Sequence, residues 1–212
     1  MSTHWAEENL KVIRTLMERS AVYRRALAPV MLLAGGVGLV AALAGWKLGI
    51  ESPRDFLLYW MLVSIAPLAG SFLLVRRQAL KAREAFWSPP TRRITRAMLP
   101  PLLAGMVTGL SLLANIHAAD TRLVQTAALV WMPVGWTVLY GCALHAAGFF
   151  MPRGIKWLGW GFIGGGCALF ALRGFGEACG PCAHGIMGMF FGGFHLAYGI
   201  YLCFTEKGPD AA

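Results

Sequence analysis

Acid is scarce in this chain. Ten Asp and Glu stand against nineteen Lys and Arg in 212 residues, and none of the ten falls inside a long apolar run. Carboxylates buried in a bilayer commonly carry protons or cations, so the apolar runs lack that chemistry. No loop brings together a nucleophile, a base and a group to orient the base, which makes a non-enzymatic protein the expectation. A second Cys-x-x-Cys is also missing, since Cys142, Cys167 and Cys203 stand alone. Residues 1–25 are charged throughout, and the apolar run after them is too long for a cleavable leader and lacks a small-residue cleavage site. The two halves show no tandem or inverted repeat, which weakens a transporter reading.

What the chain has in quantity is apolar length. Some 57% of its residues are apolar and 14% charged, outside the range of soluble globular domains. Six apolar runs, at 26–46, 56–75, 97–116, 123–150, 157–172 and 183–204, bracket the ~20 residues that cross a ~30 Å hydrocarbon layer, the fourth longer than needed and the fifth short. The expected fold is an all-α membrane protein, a bundle of six transmembrane helices preceded by a short amphipathic helix within 1–25. In that arm Trp5, Leu10, Ile13, Leu16 and Met17 recur at helical spacing, suited to a partner or a membrane surface. Ala34, Gly38 and Ala42, then Gly105 and Gly109, then Gly188 and Gly192, form small-residue steps that let helices approach closely. Pro67 and Pro133 predict bends. Ser88-Pro89-Pro90 predicts the end of a helix that continues the second run through Trp87.

Fifteen of the nineteen cations fall in the arm, in the 76–96 loop, in the 151–156 connection and in the tail at 205–212. Only Lys47, Arg54, Arg122 and Arg173 fall in the alternate loops. By the positive-inside rule both termini are cytoplasmic and the 173–182 loop faces outward, toward the periplasm if the membrane is a bacterial inner membrane. This placement accounts for the basic excess as topology, with no nucleic-acid site. Arg76, Arg77, Lys81, Arg83, Arg92, Arg93 and Arg96 face one acid, Glu84, so anionic lipid is a candidate partner there.

Chemistry concentrates at Cys179-Gly180-Pro181-Cys182. Two cysteines around a Gly-Pro turn can form a structural disulfide, can exchange with other thiols, or can bind a soft metal. The metal case needs two more ligands, and His184 and His117 are the nearest imidazoles by topology. Ala183 between Cys182 and His184 breaks the Cys-x-x-Cys-His haem-attachment pattern. His195 lies about a dozen residues into the last run, roughly 18 Å deep at ~1.5 Å per residue. It is read either as an interhelical hydrogen-bonding group or as part of a transport path. His145 lies too far from it in depth to share a haem iron, and no cofactor is expected.

Cys-Gly-Pro-Cys resembles the active-site motif of thioredoxins. The resemblance implies Cys179 as attacking sulfur and Cys182 as resolving sulfur, without a thioredoxin fold, because no strand precedes the motif. Membrane thiol oxidants of the DsbB and vitamin K epoxide reductase type use two cysteine pairs, where this chain has one. Residues Glu8 to Arg19 resemble the opening of a group of bacterial multi-pass membrane proteins with no assigned activity, which implies an inner-membrane setting. Three functions follow as expectations: an accessory or sensing membrane component, a thiol–disulfide oxidoreductase using Cys179 and Cys182, and a small transporter with His195 in its path.

Overall fold

The computed structural model describes residues 26–81, 83, 85–116, 121–173 and 179–205. The arm over 1–25, His117 and residues 206–212 lie outside the described residues. Six helices are long and apolar enough to cross a membrane: α1 (Ala26–Lys47), α2 (Pro53–Lys81), α3 (Pro89–Ala114), α4 (Arg122–Ala147), α5 (Arg153–Arg173) and α6 (Gly180–Thr205). No strand occurs among the described residues.

One boundary departs from the expectation. Helix α2 stops at Lys81, Arg83 takes a left-handed φ of 54°, and Pro89 and Pro90 open α3. Proline fits the first turn of a helix, where its missing N–H has no intrahelical partner to lose. The pair therefore starts a helix eight residues ahead of the apolar run at 97. Phe86 packs on Phe72 of α2 at 4.9 Å, and its carbonyl accepts the Thr91 hydroxyl at 2.8 Å.

The helices divide into an inner and an outer set. In the most apolar stretch of each, 44% of α1, 56% of α4 and 44% of α6 is buried, against 6% of α2, 11% of α3 and 22% of α5. Helices α1 and α6 run antiparallel in close contact, and small residues at Gly35, Gly38, Ala42 and Gly45 on α1 line the contact. A Cβ at Gly38 would lie 2.6 Å from the Phe191 backbone, and one at Gly192 would lie 2.8 Å from the Leu39 nitrogen. Backbone cannot yield as a side chain can, so this seam admits only glycine at those points. The α4–α5 contact follows the same rule, with Gly159 seated against the His145 backbone and Gly141 against Gly159 and Ile163.

Two inner helices carry a π-helical segment. In α4 it spans Ala127–Trp131, directly before Pro133, which has no N–H to return to the preceding turn. The wider turn accommodates the ring, and Pro133's own carbonyl accepts the Thr137 hydroxyl at 2.8 Å. In α6 the π segment covers Gly188–Phe194, the glycine-rich stretch pressed against α1.

Candidate functional site

Three features of α6 are candidates: the cysteine pair at its start, His184 one turn inside, and His195 past the π segment. The pair comes first in the chain. Cys179 stands at the N-cap of α6 in extended conformation, and its sulfur accepts the Cys182 backbone N–H at 3.2 Å. Pro181 fills the first turn, where it costs no hydrogen bond. The two cysteines are disulfide-bonded with Cα atoms 5.2 Å apart, and both are half-buried. The Cys179 sulfur thus occupies the capping position usually taken by a Ser or Asp oxygen, facing orphan N–H groups and the positive end of the helix dipole. Cys142, Cys167 and Cys203 are unpaired.

Beneath the disulfide lies His184, 1% exposed. The Trp60 indole N–H, which can only donate, reaches its Nδ1 at 3.1 Å. Nδ1 therefore accepts, Nε2 carries the proton, and Nε2–H donates to the Ile50 carbonyl at 2.9 Å. Phe56 and Tyr59 box the ring at centroid distances of 5.1 and 5.9 Å, and Gly45 of α1 leaves no room for a Cβ on the remaining side. The Tyr59 hydroxyl donates to the Ala41 carbonyl at 2.6 Å, tying α2 to α1 at the same level. Glu51 sits against Gly180, where a Cβ would lie 2.7 Å from the Glu51 Cγ. The α1–α2 connection is thereby held against the first two turns of α6 at two successive residues.

His195 answers His184 with the opposite tautomer. Its Nδ1 faces the Phe190 carbonyl at 3.4 Å and carries the proton, so Nε2 accepts from the Tyr140 hydroxyl of α4 at 2.8 Å. Phe162 at 5.3 Å and Phe191 at 6.4 Å pack on a ring that is 1% exposed. Both nitrogens are engaged within the protein, an interhelical fastening of α6 to α4. No buried side-chain nitrogen or oxygen lacks a hydrogen-bond partner among the described residues.

No family model matches the chain, and no curated protein or solved structure matches it either. The site therefore stands on its own geometry. Of the residues named for a metal, Cys179 and Cys182 are spent in the disulfide, His184 is bonded at both nitrogens, and His117 lies outside the described residues. No group of three or more His, Cys, Asp or Glu is gathered for a metal among the described residues. Residues that sequence reasoning passed over complete the arrangement: Trp60, Tyr140, Ile50 and Glu51. The signal for Trp60 was weak: it stands at the fifth position of the 56–75 run, where a tryptophan also suits an interface belt, and only its burial shows that the indole N–H needs an acceptor within the protein.

Proposed function

We propose that the chain is a six-pass protein of the bacterial inner membrane, with both termini cytoplasmic and the α6 N-terminus outside. In this reading its Cys179/Cys182 pair is a thiol–disulfide centre that serves sensing. The distribution of cations supports the orientation. The observation that carries the chemistry is the Cys179 sulfur accepting the Cys182 N–H at the head of a 26-residue helix, in a half-buried position. That N–H and the helix dipole stabilise negative charge on the Cys179 sulfur, which suits it to attack and to leave.

Exchange then proceeds in two balanced steps. The Cys179 thiolate attacks a partner protein's disulfide, forming a mixed disulfide and releasing one partner thiolate. Cys182, as thiolate, attacks Cys179, closing the 179–182 bond and releasing the second partner thiolate, so two electrons pass to the partner. Run backward, the same steps reduce this pair. With one pair in the chain there is no internal relay, and the change of state stays local to the α6 head and the Ile50–Glu51 connection packed on it. A local change that alters how two elements are held is what a sensor needs.

The test uses Cys182→Ser in native membranes, which leaves Cys179 without its resolving partner. The expected result is a reductant-sensitive covalent adduct with another protein, absent in Cys179→Ser. The wild-type pair should also show a reduction potential within the range of exchange proteins, above about −300 mV. No adduct together with a potential below that value would make the disulfide a structural staple. Hydrogen exchange at residues 48–52 should rise when the pair is reduced.

A further inference from the structure

Helix α2 has 29 residues, about nine more than a ~30 Å layer requires, and most of the surplus, 76–81, lies at the C-terminal end. Arg76, Arg77 and Lys81 occupy that end together with Leu73 and Leu80, and these five residues line a shallow groove of about 500 Å³. The two leucines are 59% and 68% exposed. The groove thus offers cations and uncovered aliphatic surface side by side. Beside it Phe86 packs on Phe72 and the half-exposed Trp87 stacks on Phe86, an aromatic group of the kind that sits at headgroup level. From Phe56 to Ala119 the sequence contains one acid, Glu84, against seven Lys and Arg.

We propose that this groove binds the headgroup of an anionic phospholipid, with the phosphate between Arg76, Arg77 and Lys81 and an acyl chain along Leu73. A soluble phosphate would satisfy the cations and leave both leucines in water, whereas a zwitterionic lipid would cover the leucines and bring no net charge. Only an anionic amphiphile answers both halves of the surface. The inference is independent of the cysteine chemistry and rests on the helices lying in a bilayer.

Native mass spectrometry of the full chain, released from mixed micelles holding equimolar phosphatidylglycerol and phosphatidylcholine, tests it. Phosphatidylglycerol should be retained in excess. Each surface cation is worth about a fivefold preference, so Arg76→Gln/Arg77→Gln/Lys81→Gln should lower the excess by one to two orders of magnitude. Arg92→Gln/Arg93→Gln/Arg96→Gln should keep most of it. Equal retention of the two lipids by the wild type would overturn the proposal. So would equal loss in both triple variants, which means diffuse charge, or full competition by glycerophosphoglycerol, which lacks acyl chains. Should the first triple variant fail to insert, salt decides: the wild-type excess must fall between 50 and 500 mM salt, roughly the range over which the screening length drops from ~14 to ~4 Å, and a flat response counts against the site.

Discussion

The α1–α6 seam and the outer faces of α2 and α3 are built from similarly apolar sequence, yet they pack by different means. Along the seam, backbone meets backbone: Gly35, Gly38 and Gly192 each face main-chain atoms closer than any Cβ would allow. Helices α2 and α3 meet the bundle through side chains, with Phe56, Leu57 and Trp60 of α2 buried and Leu112 and Leu113 of α3 packed on Leu57, Ala128 and Met132, and through a few directed bonds. Tyr59 donates to Ala41, Trp60 to His184, and the Trp136 indole to the Gly105 carbonyl at 2.8 Å over the Gly105/Gly109 step. Their remaining surface, including Leu62, Ile65, Leu68, Leu103 and Val107, is exposed. In water such a face would be a defect, but lipid tails are as apolar as leucine, so in a bilayer it costs nothing and gives no drive to associate. Apolarity therefore says little about which helices are central in this molecule. Residue size and hydrogen bonding say more.

Three sets of substitutions probe the contrast. The largest effect is expected for Gly192→Leu, whose Cβ alone would sit 2.8 Å from the Leu39 nitrogen. The two backbones must part, at a cost of about 3 kcal/mol or more, seen as lost folded protein in detergent unfolding. Next come Trp60→Phe and Tyr140→Phe, which leave His184 Nδ1 and His195 Nε2 without donors. Each should cost about 1 kcal/mol, near the measured range for interhelical bonds. The same unfolding assay should resolve both from wild type. If either variant matches wild type, the corresponding histidine is packing without a bond. Smallest are Leu62→Ala and Val107→Ala on the outer faces, expected within about 0.5 kcal/mol because both positions are exposed. A loss above 2 kcal/mol at either would mean that the face is covered by protein.

The existence of all six helices was legible because each apolar run is long and free of acid, and hydropathy averages over many residues. The seam was legible in part. Gly38 and Ala42 lie in it, whereas the third expected member, Ala34, gives way to Gly35, since the contact follows steps of three and four residues and not a strict four. The start of α3 was misread at Ser88-Pro89-Pro90, because proline ends one helix and begins another with the same chemistry, and only the chain's onward path decides. His184 was read as a metal candidate because its neighbours in sequence are cysteines. Its partners in space, Trp60 and Ile50, are more than 120 residues away. The exchange chemistry of the cysteine pair stands where the motif left it, since the bond's presence is common to a staple and to a resting exchange centre.

The π segment at Gly188–Phe194 also bears on insertions and deletions. His184 and His195 are eleven residues apart, close to three full turns of an ideal α-helix, so a regular helix would aim both imidazoles at the same neighbour. A π segment advances through a smaller angle per residue, and here His184 reaches α2 while His195 reaches α4. Removing one glycine from 188–194 would let the segment close as ordinary α-helix with every hydrophobic side chain retained. Ten residues of ordinary α-helix turn through about 80° less than three full turns, so the two imidazoles would keep separate bearings, whereas the same segment closing as α-helix at its present length would swing both toward one neighbour.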